Sequence, residues 1–247
     1  MREKSKRGET GKSKISLWAV VFAALLFLAG AAVFLYPAVS NWLAELHQSS
    51  VIQEYEKELA AEDEAFYAAE WQKAREYNES LAGDPVRDPF IPGTGYALPE
   101  NYLECLNVNG VMGYLVIPKI NVRLPIYHGT GEEALQNGVG HIESTALPIG
   151  GAFTHAILTG HRGLPSAKLF TNLDRLAIGD RFYIYVLDQI LAYEVDEINT
   201  VLPDALEELE AIEGRDLVTL ITCTPYGVNT QRLLVRGSRI PYVPEEA

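Results

Sequence analysis

Beyond Val108 the hydrophobic pattern switches to a period of two, and that switch fixes the fold class. GYLVIPKI (113–120), VRLPIYHG (122–129), HAILTGHRG (155–163), DRFYIYVLD (180–188), ILAYEVDEI (190–198), DLVTLITC (216–223) and RLLVRGSRI (232–240) are short runs rich in β-branched and aromatic residues. Successive side chains of a strand point to opposite faces, so alternation of this kind suits a sheet with one buried face. Gly, Pro, Asn and Asp separate the runs and supply the turns. At least seven strands at this density, with only short helical candidates at Leu164–Ile178 and Pro203–Leu209, predict a mainly β fold, a barrel or a sandwich. No internal repeat is present, and 247 residues with 48% hydrophobic content suffice for one core of ordinary size plus appendages.

One appendage is the uncharged apolar run ISLWAVVFAALLFLAGAAVFLY, Ile15 to Tyr36. It matches the ~20 residues a helix needs to cross ~30 Å of hydrocarbon. It is longer than a signal-peptide core, and apolar residues continue past the small GAA stretch at 30–32, so it reads as a retained anchor rather than a cleaved signal. Residues 1–14 carry six Lys and Arg against Glu3 and Glu9, a basic tail that belongs on the cytoplasmic side and sends everything after Tyr36 outside. The part beyond the anchor holds 14 basic and 31 acidic residues, near −17, which repels phosphates and argues against nucleic acid as a partner.

Residues 37–82 read as a helical stalk. Ile52, Tyr55, Leu59, Phe66, Trp71, Ala74 and Tyr77 recur at three- and four-residue steps among Glu, Lys and Gln, and SVIQ at 50–53 resembles a capping box that would start a second helix at Ser50. The apolar stripe does not keep strict heptads, so a stalk packed on the domain is favoured over a dimerising coiled coil. A Pro- and Gly-rich stretch follows at 83–101, GDPVRDPFIPGTGYALPEN, which is extended loop and serves either as linker or as lid. The domain proper occupies 102–247.

Three residues stand where strands end: His161 after AILTG, Cys223 after LVTLIT, and Arg232 before LLVRG. An arginine inside an apolar run needs an acceptor or a counter-charge. A guanidinium ~4 Å from a thiol, at an effective dielectric near 20, contributes up to ~4 kcal/mol, enough to lower the thiol pKa by more than a unit. Arg also keeps its proton throughout a reaction and can face a developing oxyanion. The opposing reading is a buried packing cysteine and a turn histidine. His47, His128, His141 and His155 are also present, and spacing alone does not choose among them, with His141 in GVGHIE the nearest competitor. Cys105 and Cys223 read as free thiols, the chain has no C-x-x-C or H-x-x-x-H pair for zinc, and no cofactor is implied.

TLITCTPYGVNTQRLLVRG together with LTGHRG resembles the sortase family, and TCTPYGVNTQRLLV resembles its class C branch, the pilin polymerases. GYLVIPKI, LPIYHGT, GVGHIESTALPIGG, AKLFTNLDRLAIGD and VTLITCTPYG follow in the expected order from about Gly110 to Ile240. The resemblance implies an eight-stranded sortase β-barrel with short helices, in which His161, Cys223 and Arg232 hold the catalytic positions. It also turns the 83–101 loop into a lid, with RDPF supplying Asp88 as ionic partner of Arg232, then Pro89, and Phe90 as aromatic plug near Cys223; Asp84 with Pro85 is a second, weaker match because Val86 replaces the aromatic. The activity implied is that of a membrane-anchored cysteine transpeptidase on the outer face of a Gram-positive cell. It cleaves an LPXTG-like sorting signal and joins the pilin to a lysine of another pilin subunit. A membrane-tethered cysteine hydrolase and a non-catalytic scaffold that binds sorting signals are the alternatives. The family often adds a second hydrophobic segment after the barrel, whereas the sequence here closes on PYVPEEA.

Overall fold

A computed structural model describes residues 17–81, 88, 90, 100–203, 205 and 209–244. The basic tail, Ile15, Asp84, Pro85 and Pro89 lie outside them. Among the described residues eight strands close a barrel: β1 (Val111–Ile117), β2 (Val122–His128), β3 (Val139–His141), β4 (Thr154–Thr159), β5 (Arg181–Val186), β6 (Gln189–Val201), β7 (Asp216–Thr224) and β8 (Gln231–Ile240), in the spatial order β1-β2-β3-β4-β7-β8-β6-β5. Closure leaves no unpaired sheet edge. The β2–β3 and β4–β7 pairs are parallel and the others antiparallel. Inward-facing Leu115, Ile117, Ile126, Leu158, Ile184, Leu220 and Val235 fill the core.

Two long helices precede the barrel. Helix α1 (Leu17–Leu59) runs unbroken through Pro37 and Ser50, so the second helix start expected at Ser50 does not occur. Ile52, Tyr55 and Leu59 are buried on one face of α1, and their docking on the barrel carries the helix past the serines. The Tyr55 hydroxyl donates to Met112 O (3.2 Å) and accepts from Leu187 N–H (2.9 Å), tying α1 to β1 and to the β5–β6 turn. The break falls at 60–63, where Asp63 accepts the Phe66 N–H (2.9 Å) and caps α2 (Glu64–Ser80). Trp71 donates its indole N–H to Asp188 (2.7 Å), Tyr77 donates to Glu143 O (2.8 Å), and Asn78 bonds Leu147 in both directions. The N-terminal half of α1 is apolar and exposed, long enough to cross a membrane.

The short helices differ from expectation. Residues 164–178 hold only a 3-10 turn at Leu173–Arg175, because Ala167, Leu169, Phe170, Leu173 and Leu176 are buried along an irregular path that mimics helical spacing. Of 203–209, residues 204 and 206–208 lie outside the described residues. Two further helices, α3 (Glu100–Leu103) and α4 (Glu132–Asn137), flank the barrel.

Candidate active site

Cys223 and Arg232 are partners across the β7–β8 ladder, so their side chains emerge on one face of the sheet. Both are nearly closed off from solvent, at 7% and 4% exposure. Placing the arginine one strand over from the thiol accounts for a cation inside an apolar run. Its Nη1 donates to the carbonyls of Asn229 (3.2 Å) and Gln231 (3.1 Å), and its Nε stands 2.7 Å from Asp88 Oδ2. The charges meet by proximity rather than along an aligned N–H···O bond.

His161 reaches the same place through the parallel β4–β7 pair. Residues opposite one another there differ by a constant 62 in number, Thr159 facing Ile221. The pairing continues beyond β4: Gly160 N–H donates to Ile221 O (3.1 Å) and Thr222 Oγ1 to Gly160 O (2.7 Å). One more step sets His161 level with Cys223. Gly160 suits a close approach, since a Cβ there would lie 3.0 Å from the Phe170 ring and press on it, and Phe170 N–H in turn bonds His161 O (3.1 Å).

Phe90 covers this constellation. Its ring centroid is 5.6 Å from that of His161, the Arg232 guanidinium carbon lies 5.1 Å from it, and the ring packs on the small cluster of Ile142, Ile157, Leu209, Ile221 and Leu234. Asp88 Oδ1 accepts the Phe90 N–H (2.8 Å), a turn that directs the carboxylate and the ring into the site together.

A sortase-domain family model matches residues 115–240, just over half of the chain. The chain belongs to the sortase family. Sortase A of Bacillus anthracis is 25% identical over 220 residues, covering 89% of this chain and 93% of the relative. Among solved structures, sortase C1 of GBS pilus island 1 is 47% identical with a TM-score of 0.74, covering 81% of this chain and 95% of that one. Sortase C-1 from Streptococcus pneumoniae is 45% identical with a TM-score of 0.75, covering 78% and 100%. Class C neighbours at this identity place this sortase in that class, among the cysteine transpeptidases.

The electrostatics of the sortase site differ from the expectation that Arg232 would activate the thiol outright. Burial pushes the Cys223 thiol above its usual range; Arg232 pulls it down, but Asp88 pushes it up, and the net direction is upward. Asp88 therefore neutralises the cation that would favour thiolate. Burial lowers the His161 pKa, opposed by the carboxylate of Glu132 in the first turn of α4. The site thus presents a thiol beside a neutral imidazole.

The competing histidine is structural. His141 is fully buried, its Nε2–H donates to Ala146 O (2.8 Å), and its Nδ1 therefore accepts the Tyr102 hydroxyl (2.9 Å). Burial lowers its pKa to about 4. His128 and His155 are likewise held by backbone carbonyls, of Cys105 and Glu210. Both cysteines are free and buried, Cys105 well away in sequence beside Lys73 and Asn101. Sequence reasoning passed over Glu132 and Arg162. The signal for Arg162 was present, a charged residue in a Gly-flanked turn next to His161.

Proposed function

We propose that Cys223, His161 and Arg232 perform transpeptidation on an LPXTG-like sorting signal, with a lysine of another pilin subunit as acceptor. The observation that carries this reading is the convergence of the three side chains from β7, β8 and the end of β4 under Phe90. The Cys223 thiol passes its proton to His161, the resulting thiolate attacks the threonyl carbonyl, and Arg232 donates to the oxyanion that forms. The tetrahedral intermediate collapses with loss of the Thr–Gly C–N bond, and His161 gives its proton to the departing glycine amine. A thioester remains. The lysine ε-amine, relieved of a proton by His161, attacks the thioester, the C–S bond breaks, and an isopeptide bond forms as the thiolate is regenerated.

Asp88, Pro89 and Phe90 act as a lid over the cleft in this reading. The Asp88–Arg232 pair occupies the oxyanion donor, and the Phe90 ring takes the place of substrate between His161 and Arg232. The apolar half of α1 anchors the enzyme, and the basic 1–14 tail retains the N-terminus inside, so that the barrel works on the extracellular face. Its partners are pilin subunits that carry sorting signals and acceptor lysines. Group B Streptococcus provides a solved neighbour described as a pilus-related sortase C, which supports the substrate class.

The test uses the full chain in detergent with Phe90→Ala to open the cleft, an LPXTG-type peptide, and intact mass. An adduct that maps to Cys223 and vanishes in Cys223→Ala is the expected result. Adding a lysine-containing pilin fragment then separates transfer, which consumes the adduct as an amide, from hydrolysis, which consumes it at the same rate without the amine. No adduct with a panel of such peptides, while a thiol reagent still reaches Cys223, would transfer the reading to a binding scaffold.

A further inference from the structure

His161 and Cys223 lie on segments whose backbone pairing ends just short of them. The last backbone rung between the two segments is Gly160 N–H to Ile221 O, beside which the Thr222 hydroxyl donates to Gly160 O. One residue beyond each proposed catalytic side chain stand Arg162 and Thr224, again 62 apart, and they are joined: Arg162 Nη1 donates to Thr224 Oγ1 at 3.0 Å. The same guanidinium donates through Nε to Thr171 O (3.3 Å) and through Nη2 to Asp174 Oδ2 (2.5 Å). Its side chain is 7% exposed, whereas that of Asp174 is 48% exposed.

A buried guanidinium is tolerated only where its donors are matched, and here each arm reaches a different stretch of chain. Thr224 belongs to the strand that carries Cys223. Thr171 and Asp174 belong to the stretch on which His161 rests through Phe170 N–H···O. A lysine, a point charge on a flexible stem, cannot hold three diverging acceptors with fixed geometry. The fork replaces the missing backbone rung with side-chain bonds.

We propose that Arg162 is a positioning residue that sets the separation of His161 and Cys223 during acyl transfer. This rests on the reading of those two residues as acid–base and nucleophile. Arg162 faces Thr171, Asp174 and Thr224 rather than the cleft contents, so its loss leaves peptide binding intact and loosens the reacting pair. Displacement of a catalytic group by ~1 Å costs up to ~100-fold in rate.

The measurement is kcat and KM for peptide-to-amine transfer by the full chain in detergent, in the Phe90→Ala parent, with an LPXTG-type peptide and a lysine-containing peptide as acceptor. Arg162→Ala is expected to lower kcat by about tenfold or more with KM within about twofold. Thr224→Val, which keeps the shape and deletes the acceptor oxygen, is expected to lower kcat in the same way. Thr224→Ser, which restores the acceptor and deletes only the methyl group, is expected to recover most of the rate. A role in packing alone predicts the opposite order, with serine no better than valine. Parent-like kcat in Arg162→Ala, or equal losses in the two Thr224 variants, would overturn the proposal. If Arg162→Ala does not fold, the Thr224 pair decides. His161→Ala and Cys223→Ala separate the two levels: transfer surviving in either removes the catalytic reading and the positioning role with it, whereas transfer abolished in both, beside a parent-like Arg162→Ala, removes the positioning role alone.

Discussion

Asp88 and Arg232 meet at 2.7 Å with neither side chain more than 5% exposed. Through this contact, and through the Phe90 ring 5.1 Å from the guanidinium carbon, the segment before the barrel reaches Arg232. Breaking a buried pair by removing one partner costs about 3–5 kcal/mol if the other charge stays buried.

Asp88→Asn leaves Arg232 with that penalty unless the proposed lid lifts, so the variant is expected to sit more open. Asp88 is also one of the groups that hold the Cys223 pKa up. Its removal favours thiolate, and the pH midpoint of Cys223 alkylation should move to lower pH while the rate at neutral pH rises. Iodoacetamide labelling of the full chain, mapped by mass to keep Cys105 separate, measures both. A midpoint and rate equal to those of the parent chain would contradict the link between Asp88 and the thiol.

Phe90→Ala is expected to speed labelling as well, since its ring spans His161 and Arg232. Because Asp88 and Phe90 share one turn, the double variant should gain little over the faster single one, a coupling that contacting residues show and independent sites do not. Multiplicative gains would mean that the two residues cover the cysteine separately.

The fold should weaken in mild acid. His141 has its pKa lowered by burial from 6.5 to about 4, so the unfolded chain binds its proton first. Its contribution is fully present above about pH 6.5 and is lost as pH falls toward 4, a total of roughly 3 kcal/mol. His128, His155 and His161 are also held down by burial and act in the same direction. Denaturant unfolding at neutral pH and at about pH 5, followed by tryptophan fluorescence, tests this. Equal stability at the two pH values would show that His141 is not buried in its neutral form.

Tyr55→Phe tests the docking of α1. The lost hydroxyl leaves Leu187 N–H and Met112 O without that partner, and the expected cost is about 1–3 kcal/mol. The change should appear as a lower unfolding midpoint with unaltered transfer kinetics, because neither backbone group belongs to the site. Unchanged stability would mean that water replaces the hydroxyl at no cost.

Much of the barrel was legible because β1, β2 and β4 to β8 each announce themselves by alternation. β3 did not, since three residues, one of them Gly140, are too short to show a period. The helix break was misplaced because Ser50 looks like a cap locally, while burial of Ile52, Tyr55 and Leu59 decides the matter at long range. In the site, the nine-residue spacing of Cys223 and Arg232 is explained by the antiparallel β7–β8 pairing, which sets the two residues opposite each other. The choice of His161 over His141 required the family resemblance, because burial is a property of the whole fold and not of either local sequence. The upward shift of the thiol was illegible for the same reason: it depends on desolvation and on Asp88, more than a hundred residues away in sequence.

The strand order has a consequence for when the enzyme comes into being. β7 and β8 are the last strands in sequence, yet they lie between β4 and β6, so the sheet stays open until they insert. Nonlocal pairing of this kind is slow and follows local structure. Until β7 and β8 pair, His161 at the end of β4 has neither Cys223 nor Arg232 opposite it. On the proposed reading, closing the barrel and assembling the site are one event, and a molecule that fails to complete its fold lacks the arrangement that would do the chemistry.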